Sequence, residues 1–335
     1  MKNIATWTFI SNSLDKGIEV MLLYVLESIG SSPGRQGFFM AVNANGNLEG
    51  SIGGGMMEHK FVEMASERLK EQEFKEQEIR KQYHDKSAAR NQSGMICSGE
   101  QTIFLYHVQS SDSTTIKNII ISLKQNNNGT LQLSSSGITF STIPPEKDFH
   151  FEMRSEDDWK YFEKTGYKHH LFIIGGGHCS LPFSKLMRSM DFYIRLYDER
   201  KNLKTMQEND FVHEKHVIES YKQLNKLIPS GINHYVVIMT FGFRTDDTAF
   251  RALMNKEFKY FGLLGSTHKI QKMFDEYRSE GISADMLQRI HAPVGLSIKS
   301  QTPEEIAVSI AAEIIQIKNQ APPDLSQGEA TQLRP

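Results

Sequence analysis

The hydrophobic pattern divides the chain into two halves of different rhythm. From His169 onward, short apolar runs at 171–174, 192–197, 235–240 and 260–264 read as strands, and amphipathic stretches at 180–190, 247–254 and 268–278 read as helices between them. This βα alternation predicts a parallel sheet covered on both faces. A last helix opens on Thr302-Pro303-Glu304-Glu305, with Thr302 as N-cap, Pro303 at the first helical position and Glu305 completing a capping box. It runs to about Lys318.

The first half is less regular. Apolar positions over 14–28 recur at helical spacing behind a Ser/Asn/Asp start and end at Gly30, which predicts a helix. Residues 37–42 read as a strand, and Asn43-Ala44-Asn45-Gly46 as a hairpin-type turn leading into Leu48. Gly53-Gly54-Gly55 then opens a charged helix from about Met56 to Lys75. Residues 101–108 alternate like a strand, 116–124 read as a helix, and 130–142 as a hairpin. Pro144-Pro145 and the polar run through Asp158 mark a linker over 141–168. The pattern therefore gives a first domain over 1–140, a second over 169–320, and a tail over 321–335 of disordered composition.

Composition narrows the class. At ~150 residues per domain, 335 residues suit two domains, and 39% hydrophobic with 23% charged residues is ordinary for a globular protein. A formal net charge of −2 argues against a dedicated nucleic-acid or anionic-membrane surface. The two cysteines, Cys97 and Cys179, cannot form a disulfide framework and read as cytosolic thiols. The run at 20–26 is far short of the ~20 residues a membrane span needs, and polar residues interrupt any signal-like stretch, so a soluble, cytoplasmic protein is expected.

Four features could carry chemistry. The strand at 171–174 enters Gly175-Gly176-Gly177-His178 and a helix start, and Asp198 closes the next strand where a ribose-binding acid would sit. Such a turn can cradle a phosphate on free N–H groups at a helix N-terminus, or simply be a tight βα connection, and Ser180 stands where a third glycine is usual. Asp198 could bind a ligand or close a solvated turn. Gly53-Gly54-Gly55, running into Met56, offers either a nest of amides for an anion or very close chain packing. Cys97, between two flexible residues in a loop before a strand, reads either as a small buried hydrophobe or as a functional thiol, while Cys179, at a helix start, reads as core although the helix dipole could favour its thiolate. His59, His84, His178 and His268 show no metal-ligand spacing, so no metal site is read from them.

Taken in order, four segments resemble the XdhC/CoxI family, accessory proteins of molybdenum hydroxylases. They are Gly30-Ser31-Ser32-Pro33 with Gly50-Ser51-Ile52-Gly53-Gly54-Gly55; Cys97-Ser98-Gly99; Gly175-Gly176-Gly177-His178 with Asp198-Glu199-Arg200; and 262–269 with 292–296 and 302–310. The chain departs from the family's pattern in having Ser98-Gly99 after the cysteine, phenylalanines in Thr240-Phe241-Gly242-Phe243, and Ser297 where an acid is frequent.

The resemblance implies an α/β protein: an N-terminal α+β XdhC/CoxI domain followed by a Rossmann-like, doubly wound parallel-sheet domain. It further implies a chaperone, with no catalytic residues of its own, that binds molybdenum cofactor as cargo, protects it during sulfuration and inserts it into a xanthine dehydrogenase-type molybdenum hydroxylase. A cysteine desulfurase as second partner and a homodimer are in keeping with the family. The cofactor-binding residues so implied are Gly53, Gly54, Gly55, Met56, Cys97, Gly175, Gly177, His178 and Asp198, with the glycines serving the phosphate and Cys97 a soft ligand near the metal. The alternative is an NAD(P)-dependent oxidoreductase using the Gly175–Gly177 turn and Asp198, although no hydride-transfer acid or base stands beside that turn.

Overall fold

In the computed structural model, which describes residues 3–71, 77–83 and 99–320, the chain divides between Tyr167 and Lys168 into two units. The first begins with α1 (Asn3–Asp15), β1 (Val20–Ile29), β2 (Phe39–Asn43), β3 (Leu48–Gly50), α2 (Gly55–Arg68), β4 (Gln77–Tyr83) and β5 (Glu100–His107). It continues with α3 (Ser113–Lys124), β6 (Gly129–Ser134), β7 (Gly137–Ser141), β8 (Phe149–Met153) and β9 (Trp159–Thr165). One sheet has the order β3-β2-β1-β5-β4 and a second the order β7-β6-β9-β8, and all the pairings in both are antiparallel.

The helix expected over 14–28 is instead the end of α1, a turn and the central strand β1. Val20, Leu22, Tyr24 and Leu26 enter one core with Trp7, Ile10 and Ile116, while Met21, Leu23 and Val25 enter another with Met57 and Phe61. A strand covered on both faces has no polar alternation, so its apolar run resembles a helix face at short range. The helix itself was hidden because α1 buries Thr6, Ser11 and Ser13 beside its apolar residues.

Residues 141–168, expected as a linker, fold into β8 and β9, with β9 pairing both β6 and β8. The inward positions of β9 are Trp159, Tyr161, Glu163 and Thr165. Glu163 makes the strand look polar, but its carboxylate accepts from the hydroxyls of Tyr24 and of Tyr161, the latter at 2.9 Å. A buried carboxylate so bonded is tolerated in a core.

The second unit comprises β10 (His169–Ile174), α4 (Ser180–Ser189), β11 (Phe192–Asp198), α5 (Lys204–Gln207), β12 (Glu214–Val217), α6 (Leu224–Leu227), β13 (Gly231–Ile238), α7 (Phe243–Leu253), β14 (Phe258–Leu263), α8 (Thr267–Ser279), α9 (Ala284–Gln288) and α10 (Pro303–Asn319). Its sheet is parallel throughout, in the order β12-β11-β10-β13-β14. This is the Rossmann-type arrangement, with the order reversing between β10 and β13. Leu171, Ile173 and Leu196 pack with Phe183 of α4 and Ile310 of α10, while Phe172, Ile174 and Val236 pack with Phe250 of α7 and Met273 of α8. The capping box of α10 forms as the sequence predicts, Thr302 Oγ1 accepting from the Glu305 amide at 3.2 Å. Among the described residues no helix is long and apolar enough to cross a membrane.

Candidate functional site

Ligands of open parallel sheets bind beyond the carboxyl ends of the strands where the strand order reverses. Here that crevice is bordered by the turn Gly175-Gly176-Gly177-His178 after β10 and by 239–242 after β13. Gly175 has φ +111°, and a Cβ there would stand 2.4 Å from the Met239 carbonyl oxygen, so only glycine fits. Gly177 differs: no atom lies within 4 Å of a Cβ built on it. Ser180, in place of the third glycine, is fully buried and donates its hydroxyl to the Gly177 carbonyl at 2.7 Å, so the turn absorbs the larger residue.

The amides of Gly177, His178 and Cys179 have no acceptor among the described residues. They precede the ten-residue helix α4, at its positive end. His178 is exposed. Cys179 is half-buried, and burial together with Glu304 pushes its thiol up, which favours the core reading over an ionised nucleophile.

Asp198, expected as a ribose-binding acid, is fully buried and bonded to its own loop and to the glycine turn after β10. Oδ2 accepts from the Gly176 amide at 2.7 Å and from Arg200 Nη2 at 2.7 Å, while Oδ1 accepts from the Arg200 amide and Nε, both at 2.9 Å. These four bonds fill a carboxylate's acceptor capacity. Burial alone would raise this carboxyl, but the Arg200 guanidinium and the two amides outweigh it and hold it below the usual carboxylate range. Arg200, gripped in this fork, lies with its guanidinium carbon 4.9 Å from the centre of the Phe241 ring. The two residues come from the loops after β11 and β13, the strands that flank β10, and the Phe241 ring is 68% exposed.

A second polar cluster stands at the β13 and β14 ends. Asp246 at the start of α7 is fully buried and accepts from Thr240 Oγ1 at 2.6 Å, from the Thr240 amide at 3.2 Å, and from Lys269 Nζ. Burial, only partly countered by Lys269 and Thr240, leaves the Asp246 carboxyl above its usual range. Lys269 also donates to the Leu264 carbonyl at 3.3 Å and remains partly exposed at the crevice.

The glycine triplet of the first unit combines close chain packing with a turn whose donors the chain itself occupies. Gly53 is packed against another chain segment: its Cβ would lie 2.3 Å from the Gly34 amide, and one on Gly34 would lie 1.9 Å from the Ile52 carbonyl oxygen. Gln101 ties the two loops together by donating to the Gly34 carbonyl at 2.8 Å. Gly54 is open, and the turn does form an anion nest. The nest, however, is filled from within, because Glu58 Oε2 accepts from Ser51 Oγ at 2.7 Å, the Ile52 amide at 2.9 Å and the Gly54 amide at 3.0 Å. Met56, expected at this site, is 61% exposed beside it. Cys97 lies outside the described residues, whereas Gly99 packs where a Cβ would meet the Ser31 backbone at 2.6 Å.

Two family patterns match the chain in order, one described as the XdhC and CoxI family over residues 13–80 and one as the XdhC Rossmann domain over 171–314. The chain belongs to the XdhC/CoxI family. A crystal structure of a protein named xanthine dehydrogenase from Bacillus halodurans shares its fold, with a TM-score of 0.70 at 22% identity over 97% of this chain and 98% of that one. The chain is 25% identical over 304 residues to the uncharacterized protein YqeB of Escherichia coli, covering 89% of this chain and 43% of that protein. It is 26% identical over 159 residues to a Bacillus subtilis protein described as a probable xanthine dehydrogenase subunit, covering 47% of this chain and 46% of that protein. The chain thus spans less than half the length of the curated relatives it matches.

Within this XdhC/CoxI chain the expected residues fall into two groups, Gly53 to Met56 in the first unit and Gly175, Gly177, His178 and Asp198 in the second. Sequence reasoning missed Glu58, Arg200, Thr240, Phe241, Asp246 and Lys269. A usable signal existed for Glu58, since an acid three residues after a glycine run at a helix start can fold back onto the amides it follows. The others meet only through the topology of the parallel sheet.

Proposed function

We propose that the protein is an accessory factor of a xanthine dehydrogenase-type molybdenum hydroxylase, binding molybdenum cofactor as cargo at the switch point of its parallel sheet and passing it to the apoenzyme. The observation that carries this reading is the uncommitted face of that crevice. Gly177 is open, the amides of Gly177, His178 and Cys179 have no acceptor among the described residues, and the Arg200–Asp198 and Lys269–Asp246 ion pairs stand on the loops around the turn. A pterin phosphate is an anion of the size that such amides hold. The Glu58-filled nest of the first unit has no such vacancy for a phosphate unless the carboxylate swings away.

Family membership supports the class of cargo, and the name of the Bacillus subtilis relative supports the partner. The nicotinamide alternative is weakened by Asp198, whose four acceptor positions are already engaged and leave none for a ribose hydroxyl. The chain's own part is then to bind and orient: amides and Lys269 for the phosphate, and the walls of the crevice for the ring. The bound cargo supplies the redox chemistry only later, in the hydroxylase.

Reconstitution tests the proposal. Purified protein loaded with molybdenum cofactor is expected to activate a cofactor-free xanthine dehydrogenase-type hydroxylase faster than an equal amount of free cofactor does. Equal rates with and without the protein would remove the delivery role.

A further inference from the structure

The crevice holds one feature that phosphate binding does not use. Phe241 is an aromatic ring 68% exposed to water at the carboxyl end of β13, and the cation–π contact with Arg200 is on only one side of it. A ring so exposed contributes little to the core, and the buried residues of the fold do not include it. Arg200 in turn is not a free surface cation. Nε and Nη2 are committed to Asp198, which fixes the guanidinium plane, while Nη1 has no acceptor among the described residues. An exposed π-face, a pre-set planar cation and a spare donor edge thus occur together beside an open glycine turn.

We propose that Phe241, backed by Arg200 on one face, forms on its open face a stacking platform for a flat, bicyclic heteroaromatic ring, the pterin of the cargo. This rests on the cofactor reading above and names the part of the cargo that the second unit recognises. Aromatic faces bind such rings largely without regard to their substituents, and a cation on the far face leaves the open one free for stacking. Strand order explains why the pair exists: the strands that carry the two loops flank β10, so the platform borders the same turn whose amides lack an acceptor among the described residues.

The test uses the full chain and two ring probes, pterin-6-carboxylate followed by its own fluorescence and AMP followed by calorimetry, together with molybdenum cofactor itself. Phe241→Ala is expected to weaken pterin-6-carboxylate and cofactor binding by roughly 5- to 150-fold, the loss typical of removing one stacking partner. Phe241→Trp keeps a π-face and is expected to bind at least as tightly as wild type. Because the ring is exposed, both variants should melt with wild type, which separates loss of a ligand contact from loss of fold. Equal pterin affinity in Phe241→Ala and wild type, or no pterin binding by wild type, would overturn the platform, as would AMP binding in place of pterin. If wild type binds the cofactor and Phe241→Ala binds it equally well, the platform alone is wrong. If wild type does not bind the cofactor but binds pterin-6-carboxylate through Phe241, the delivery reading fails and the platform stands.

Discussion

Replacing Asp198 by Asn tests whether this carboxylate is structural. It is fully buried and accepts four hydrogen bonds, two from backbone amides and two from one guanidinium. An amide side chain can accept through its oxygen only, so its NH2 group must face two donors, either the Gly176 amide with Arg200 Nη2 or the Arg200 amide with Arg200 Nε. In either orientation one backbone amide, of Gly176 or of Arg200, is left without an acceptor, which costs about 2 kcal/mol. The Arg200 side chain is 36% exposed, so solvent screens its loss of partner to about 1 kcal/mol more. The expected total is about 3 kcal/mol, or a fall of roughly 6–12 °C in melting temperature for a unit of this size.

The pH dependence follows from the direction of the shift. The folded carboxyl is held below its unfolded value of ~3.9, so its contribution is full above that value and is lost as pH falls through the folded one. The gap between wild type and variant should therefore be constant from pH 7 to about 5 and begin to narrow below about pH 4. Urea unfolding followed by far-UV circular dichroism measures it, with emission from Trp7 and Trp159, both in the first unit, as internal reference. A variant within about 0.5 kcal/mol of wild type at pH 7, or a gap undiminished at pH 3, would refute the reasoning.

The two glycine turns give sharper contrasts. Gly175→Ala and Gly53→Ala each press a methyl within 2.4 Å of backbone atoms and are expected to lower stability by at least ~3 kcal/mol in thermal melts, while Gly177→Ala, in open space, should change it by less than ~1 kcal/mol. Lys269→Met removes the charge beside a fully buried carboxylate. With Lys269 partly exposed, the cost should be about 2–3 kcal/mol at pH 7, and it should shrink as pH falls, because Asp246 is raised and its protonated form needs no partner; urea midpoints at pH 7 and 5 check both statements. Glu58→Ala empties the nest at the start of α2 and should cost about 1 kcal/mol by the same measurement.

Legibility in the sequence followed burial pattern. The strands of the second unit are readable as short apolar runs, since the inner parts of β10, β11, β13 and β14 are covered on both faces and their helices carry one apolar stripe each. The same property misled in the first unit, where doubly covered β1 looked helical and α1, with Thr and Ser turned inward, did not. β9 was invisible because its inward row includes Glu163, a residue that fits only once Tyr24 and Tyr161 are known to meet it. At the site, glycines demanded by close packing could be read directly, as Gly53 and Gly175 show. Which groups already occupy the nests could not. Glu58 and Asp198 each answer an anion site from within the chain, and the pairing of Arg200 with Phe241 or of Asp246 with Lys269 depends on strand order that spacing does not encode.

Cofactor delivery from the parallel-sheet crevice is tested most directly by an equilibrium titration of the purified full chain with molybdenum cofactor and, separately, with NADP+. Saturable cofactor binding at one site per chain is predicted, weakened at least tenfold by Gly177→Val at unchanged melting temperature, with no measurable NADP+ binding. Tight NADP+ binding without cofactor binding, or cofactor binding indifferent to Gly177→Val, would contradict it.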